Sequence, residues 1–165
     1  MIVREASAEE VEEIRAVYLR SWRAGYEGLL SESEIGVQLE SRTPYDWRAA
    51  VERSNHVVLV AEESRRLIGV AHVEVEPREP GHVPWLHMLY VLPEAWGPGT
   101  ALRLLGAAVE KVRRAGHRSI WLGIVEPQER AWRFYEREGW QLDPDIGSRS
   151  NGLFRLLCYR KDVMP

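Results

Sequence analysis

The stretch LYVLPEAWGPGTALRLL, residues 89–105, joins an apolar strand through a glycine-bearing turn to an amphipathic helix. Gly97 and Gly99 can adopt backbone angles that are closed to other residues, and they let a ligand approach the main chain closely. The amide groups at the start of the helix then face the turn, where the helix dipole favours an anion. The stretch therefore predicts a binding site for a phosphorylated ligand.

Two common phosphate-binding motifs do not fit this turn. A dinucleotide-binding motif has a third glycine or alanine where this sequence has Leu102, and a nucleotide P-loop has lysine and then serine or threonine after its last glycine. Residues 97–105 contain neither arrangement. The glycines are also compatible with a tight loop that binds nothing, so the rest of the chain has to decide.

The composition is typical of a globular protein with one domain. The chain has 165 residues, of which 45% are apolar and 28% charged, so residues 1–165 are predicted to form a single domain with a substantial core. Its net charge of -3 and isoelectric point near 6.0 lack the basic excess of nucleic-acid-binding proteins. We therefore expect no nucleic acid partner.

Cysteine content and hydropathy predict the compartment. Cys158 is the single cysteine, which excludes an internal disulfide and suits a reducing compartment, and its apolar surroundings favour a buried structural thiol. The acidic N-terminal residues do not resemble a signal peptide, and no apolar run approaches the roughly 20 residues that span a bilayer. We therefore expect a cytoplasmic protein without a membrane partner. The five histidines do not have the spacing of metal ligands, so no metal site is expected.

The periodicity of apolar residues changes along the chain. Helices are predicted over about residues 8–24, 31–40 and 44–53, the first with a capping box at Ser7 and the third capped by Thr43. After these come predicted strands at 56–61, 67–75, 85–92, 119–125, 139–143 and 152–160, with helices at 97–115 and 127–139. This order implies an α/β (α+β) fold with a mixed sheet and one right-handed crossover, which brings the glycine turn to the C-terminal end of a strand.

Together with its neighbours, the glycine turn resembles the acetyl-CoA site of the GNAT N-acetyltransferase superfamily. That site is a strand ending in Tyr-Val-x-Pro, then arginine or glutamine, then spaced glycines, then a helix with a Leu-Leu pair. Here Tyr90, Val91 and Pro93 precede the turn, and Leu104 and Leu105 lie in the helix. Trp96 stands where the superfamily has arginine or glutamine, so the resemblance requires backbone amides or another basic group, such as Arg103, to contact the pyrophosphate.

A second motif, QERAWRFYEREGW at residues 128–140, is similar to the superfamily's Asn-x-x-Ala-x-x-Phe-Tyr-x-x-x-Gly-Phe. Gln128 replaces the asparagine and Trp140 the phenylalanine. With the N-terminal segments that also match, the resemblance covers nearly the whole chain. It implies a GNAT-like fold, a central mixed and mostly antiparallel twisted sheet of about six or seven strands flanked by about four helices.

The resemblance also implies a set of cofactor-binding residues. Acetyl-CoA would be the cosubstrate, with no metal, and its arm would enter between the strand that contains Tyr90 and the strand near Leu122. The Val91 or Leu92 amide would polarise the acetyl carbonyl, and Tyr135 would protonate the departing thiolate. The implied cofactor-binding residues are Tyr90, Val91, Leu92, Trp96, Gly97, Pro98, Gly99, Thr100, Ala101, Gln128 and Tyr135.

The general base is less well defined by the sequence. Many members of the superfamily have a glutamate six residues before the valine of the strand, where this chain has Trp85. His87 lies two residues further on and points to the same face by strand alternation, with an ordinary pKa near 6.5. Glu74 and Glu76 on the neighbouring strand are alternatives that could act through water. Tyr26 and Trp85 are the predicted substrate-binding residues, although aromatic residues at such positions can equally be core.

These features predict an acetyl-CoA-dependent N-acetyltransferase that moves an acetyl group to a primary amine by direct attack in a ternary complex. The acceptor would be a small molecule or a peptide. The alternative is a GNAT-like domain that binds acyl-CoA as a sensor or assembly subunit without turnover. Relatives are often dimers, so a homodimer is an open expectation.

Overall fold

A central β-sheet with helices on both faces forms the fold. The computed structural model describes residues 1–76, 83–97, 99–146 and 149–163. The strands are β1 (Ile2–Glu5), β2 (His56–Glu63), β3 (Arg66–Glu74), β4 (Trp85–Val91), β5 (Ser119–Val125), β6 (Gln141–Leu142), β7 (Arg149–Ser150) and β8 (Arg155–Asp162). The helices are α1 (Val11–Tyr26), α2 (Glu32–Arg42), α3 (Trp47–Glu52), α4 (Thr100–Arg114) and α5 (Glu129–Arg137).

The strand order is β1-β2-β3-β4-β5-β8-β6, and the short strand β7 pairs with β8. Strands β4 and β5 run parallel, whereas the other pairs are antiparallel. The mixed, mostly antiparallel sheet that the sequence predicts is therefore confirmed. A parallel neighbour requires a crossover, and α4 supplies it between β4 and β5.

Each face of the sheet is covered by its own apolar cluster. Trp22, Ile35 and Trp47, from α1, α2 and α3, are buried on one face. On the other face, Leu104 and Leu105 of α4 are buried, and α5 packs beside them. Strands β2 and β3 contribute apolar side chains to both clusters, because successive residues of a strand point to opposite faces.

Capping residues decide where the helices begin. Ser7 forms the predicted capping box with Glu10, which opens a 3-10 turn ahead of α1. The expectation that Thr43 caps the third helix is wrong: Thr43 ends α2, where its amide donates to the carbonyl of Leu39, and the side chain of Asp46 accepts from Ala49 to cap α3. Helix α4 begins at Thr100 rather than at residue 97, because the glycine turn occupies the intervening residues.

A β-bulge interrupts the pairing of β3 with β4. Met88 lies opposite His72, while Leu86 lies opposite Val73, so His87 is an extra residue on β4. A bulge places consecutive side chains on one face and re-aims them. His87 therefore lies on the α1 face together with Met88, as its ring contacts with His72 show.

No helix in residues 1–76, 83–97, 99–146 and 149–163 is long and apolar enough to cross a membrane.

Candidate active site

Strands β4 and β5 separate toward their C-terminal ends. In the described part of the chain they pair only at Trp85 with Trp121 and at Leu86 with Leu122. Beyond this point the backbone of β4 faces a gap instead of a neighbouring strand. The splay that the resemblance implied is therefore present.

Two cavities meet at this gap. One, of about 1050 Å³, contains the glycine turn, and the other, of about 920 Å³, lies on the α1 face. We call them the cofactor-side cavity and the acceptor-side cavity. Both are lined by the same group of residues at the gap, namely Leu89, Tyr90, Gln128, Ala131 and Tyr135. A group held in one cavity can thus reach a group held in the other.

The glycine turn has the geometry that an anion requires. Gly97 and Gly99 have φ angles of 99° and 87°, in the left-handed region that favours glycine, and a Cβ at either would meet nothing within 4 Å. Gly99 is the N-cap of α4 and contributes no side-chain cap, so the first amides of the helix face outward. The turn, Thr100 and Ala101 line the cofactor-side cavity, whereas Pro98 lies outside the described residues.

Of the two amides suggested for the acetyl carbonyl, one is already used. The Leu92 amide donates to the carbonyl of Ile68 at 2.9 Å, and Leu92 is buried in the core. Hydrogen bonds of an antiparallel pair alternate between the two edges of a strand, so Val91, opposite Gly69, points its amide and carbonyl toward the gap. The structure therefore favours Val91 over Leu92 for this role.

Trp96 connects the turn to the edge of β4. Its indole Nε1 donates to the Val91 carbonyl at 2.8 Å, and the guanidinium of Arg130 lies 3.7 Å from its ring centroid. Arg103, the substitute suggested by the sequence, instead donates to the Met1 carbonyl at 3.3 Å and does not line the cofactor-side cavity. Arg130 was missed because its place beside Trp96 depends on how α5 packs, although its position near the start of that helix was a usable signal.

Tyr135 and Gln128 lie on the common wall of the two cavities. Burial raises the pKa of the Tyr135 hydroxyl, so it is protonated at neutral pH. The ring of Tyr135 packs edge-on against Phe134 and Trp140. Gln128 donates from Nε2 to the carbonyl of Gly25 at 3.3 Å, which ties the start of α5 to the end of α1.

The acceptor-side cavity contains the predicted base and substrate-binding residues. Tyr26 and Trp85 line it, and Tyr26 stacks on Trp22 with ring centroids 4.2 Å apart. His87 and Glu74 also line it, with His87 Nε2 and Glu74 Oε2 3.6 Å apart. Glu76, the other suggested carboxylate, is exposed and lies on neither cavity wall.

Electrostatics distinguish the two members of the His87–Glu74 pair. Burial lowers the pKa of His87 below its ordinary value, and the neighbouring Glu74 carboxylate opposes that shift. His87 is therefore neutral at pH 7 and able to accept a proton. Asn55 donates from Nδ2 to Glu74 Oε1 at 3.2 Å and helps to fix the carboxylate.

Residues 12–140 match the model of the acetyltransferase (GNAT) family. This range is most of the chain, and the chain therefore belongs to that family. The membership supports acetyl transfer as its general activity. Among curated proteins, no sequence matches the chain.

Solved structures agree on the fold. The PaiA N-acetyltransferase of Thermoplasma acidophilum, in complex with coenzyme A, is 20% identical with a TM-score of 0.82, and 98% of each chain is covered. An aminoglycoside 6'-acetyltransferase of type Ii is 17% identical with a TM-score of 0.73, covering 100% of this chain and 99% of that one. An acetyltransferase from Salmonella typhimurium with acetyl-CoA is 20% identical with a TM-score of 0.71, covering 100% and 95%.

Proposed function

We propose that the protein is an acetyl-CoA-dependent N-acetyltransferase that acts on a primary amine of a small molecule or peptide. The observation that carries the proposal is the meeting of the two cavities at Tyr90 and Tyr135. The glycine turn lies on one side of that meeting point and the His87–Glu74 pair on the other. This arrangement holds a donor and an acceptor on opposite sides of one gap.

The residues of the cofactor-side cavity fit coenzyme A. Gly97 and Gly99 leave open space over backbone amides, which suits a pyrophosphate at the start of α4. Arg130, stacked on Trp96, would supply the N–H donors that the missing arginine or glutamine would otherwise provide, together with a positive charge. At the edge of β4, the Val91 amide faces the gap and is left for the acetyl end of the ligand, because the Val91 carbonyl accepts from Trp96.

The chemistry divides among three groups of this chain. When bound, acetyl-CoA supplies an acetyl thioester. His87 would take the proton from the amine nitrogen, the Val91 amide would donate to the acetyl carbonyl oxygen, and the Tyr135 hydroxyl would give a proton to the leaving sulfur. The raised pKa of Tyr135 keeps that proton in place until negative charge develops beside it.

The structural neighbours support both ligand classes. Three of them were solved with coenzyme A or acetyl-CoA. Two, one of which is among those three, are named as aminoglycoside 6'-acetyltransferases. Seven tyrosine and tryptophan side chains on the acceptor-side cavity suit an organic amine rather than a metal ion or a polyanion. They are Tyr18, Trp22, Tyr26, Trp85, Tyr90, Trp121 and Tyr135.

The test is release of coenzyme A from acetyl-CoA in the presence of a panel of primary amines, detected with a thiol reagent. We expect amine-dependent release by the wild-type protein and a fall in kcat of about a hundredfold in Tyr135→Phe, since general acid catalysis contributes that much. Tyr159→Phe is the matched control because Tyr159 bonds to Glu136, away from both cavities. Tight binding of acetyl-CoA without release for any amine would contradict the proposal and favour a sensor.

A further inference from the structure

Behind the His87–Glu74 pair lies a hydrogen-bonded chain that the proposed chemistry leaves unused. The Tyr45 hydroxyl and His72 Nδ1 are 3.0 Å apart, and His72 Nε2 and His56 Nδ1 are 2.8 Å apart. His56 Nε2 then lies 4.0 Å from Glu74 Oε1. The chain therefore leads from Tyr45, in the loop before α3, through two imidazoles toward the carboxylate at the cavity.

Strand register assembles this chain. His56 of β2 pairs with Glu74 of β3, and His72 lies two residues before Glu74, so all three side chains share the α1 face of the sheet. His72 is only 3% exposed, and neither His72 nor His56 lines the cofactor-side or the acceptor-side cavity. In the described ranges, no group of three or more His, Cys, Asp or Glu side chains is arranged to hold a metal ion. One nitrogen of each ring is used in the contact between the two rings.

The protonation of His72 follows from its burial. Burial lowers the pKa of His72 to about 3, with the neighbouring His87 and His56 and the charge of Arg53 acting in the same direction. At neutral pH the ring is uncharged and has one N–H, so it donates from one nitrogen and accepts at the other. The pKa of Tyr45 is raised by burial, so its hydroxyl keeps its proton.

For a neutral His56, only one direction of donation suits an ionised Glu74. If Tyr45 donates to His72 Nδ1, His72 Nε2 donates to His56, and His56 then presents Nε2–H to the carboxylate. In the reverse direction, a neutral His56 would turn a lone pair toward the negative oxygen, which is unfavourable. The three donors therefore align toward Glu74.

We propose that Tyr45, His72 and His56 are positioning residues of the acceptor site. Their aligned donors direct the His56 N–H from 4.0 Å at the same Glu74 oxygen that accepts from Asn55, so the other oxygen faces His87 Nε2 and fixes the proton there. His87 Nδ1 is then the atom that takes up the proton of the amine. The inference rests on the proposed function in one respect, namely that His87 is the base.

The hydrogen-bonded residues Tyr45, His72 and His56 should also affect the pH dependence of the reaction. Among the described residues, the titratable groups that face His87 are Glu74, His56 and His72, and Glu74 alone raises its pKa. Without the aligned donors of Tyr45, His72 and His56, only Asn55 orients the carboxylate, so Glu74 interacts less strongly with His87 and the pKa of His87 falls further. Because the neutral base is active, the acid limb of kcat/KM then moves to lower pH, and the weaker base lowers kcat.

The first experiment compares His72→Leu with His72→Gln, whose amide nitrogen can still donate to His56. We expect His72→Leu to lower kcat about tenfold or more, because the base is misplaced, with the KM for acetyl-CoA unchanged. His72→Gln should recover most of the rate and the wild-type pH profile. His117→Gln is the control for loss of a histidine, since His117 lies beyond α4 and lines neither cavity.

The second experiment does not depend on turnover. Imidazole nitrogen NMR of the wild-type protein should show His56 as the Nε2–H tautomer, and the pKa of His87 should fall in His72→Leu and, less, in Tyr45→Phe. An Nδ1–H tautomer of His56, or an unchanged His87 pKa in these variants, would overturn the proposal even if amines are acetylated. If no amine is acetylated but the NMR results hold, the proposed function fails and the positioning chain stands. Tyr45→Phe removes only one hydroxyl. If His72→Leu does not fold, the pKa of His87 in Tyr45→Phe tests the proposal.

Discussion

Trp96 and Arg130 show how a single substitution in a motif can be compensated by a neighbour. The tryptophan cannot offer the phosphate-binding N–H groups of the arginine or glutamine usual at its position, but its ring face attracts a guanidinium. Arg130 lies on that face at 3.7 Å, at the opening where a pyrophosphate would bind. The positive charge is thus present although the motif residue is absent.

Arg130→Met is therefore expected to raise the KM for acetyl-CoA about tenfold, because charge-assisted hydrogen bonds to phosphate are worth about 1.5–3 kcal/mol. The kcat should change little, since Arg130 is remote from the reacting groups. Steady-state kinetics at two salt concentrations measures both parameters, and the effect of salt on KM should shrink in the variant. Arg103→Met is the matched control, and an equal rise in KM in both variants would refute the role of Arg130.

At the scale of elements, β3, β4 and α4 pack closely against one another around Gly69. A Cβ at this position would lie 2.9 Å from Leu104 Cδ1, 3.1 Å from the Tyr90 carbonyl oxygen and 3.2 Å from Val91 Cγ2. Two of these neighbours belong to the strand that borders the gap. The close approach of α4 to β3 therefore fixes the position of β4.

Gly69→Ala should lower the free energy of unfolding by about 1–3 kcal/mol, because the extra methyl group overpacks a contact that includes backbone. Gly106→Ala, in the middle of α4 with nothing within 4 Å, should raise the free energy of unfolding by about 0.5–1 kcal/mol through helix propensity. Urea denaturation of the two variants measures both values. Equal effects of the two substitutions would show that Gly69 is not tightly packed.

At the scale of the whole molecule, the gap divides the sheet into two parts that ligand contacts would bridge. The glycine turn follows β4, whereas Arg130 and Tyr135 belong to α5, which follows β5. A ligand that contacts both parts binds the folded protein alone and stabilises it by mass action.

Coenzyme A at a hundred times its Kd should raise the free energy of unfolding by about 2.7 kcal/mol and raise Tm accordingly. In Gly99→Ala this stabilisation should be largely lost, because a side chain at a φ of 87° strains the turn at the start of α4. Gly116→Ala is a close control, since Gly116 has a φ of 88° and equally open surroundings but lies at the other end of α4. Thermal scans with and without coenzyme A give the comparison, and equal stabilisation of the two variants would argue against binding at the turn.

Local sequence signals predicted the features that depend on residues close together in the sequence. Gly97 and Gly99 were found because a turn before a helix has a recognisable composition, and Ser7 was found because a capping box is a local motif. Thr43 shows the limit of such signals: two residues close together can each cap a helix, and packing selected Asp46. The face of His87 was predicted correctly, although the bulge beside it was not.

By itself, the sequence determined the order of the elements, the mixed sheet and the resemblance to acetyltransferases, because periodicity and spaced motifs are properties of short stretches. Only the tertiary structure decided that the Leu92 amide donates to Ile68, that Arg130 lies on Trp96, and that the buried His72 and the half-buried His56 lie behind Glu74. These contacts join residues that are far apart in sequence, and their geometry depends on strand register and helix packing. No single segment contains the information that fixes these contacts, because strand register and helix packing are set by the fold as a whole.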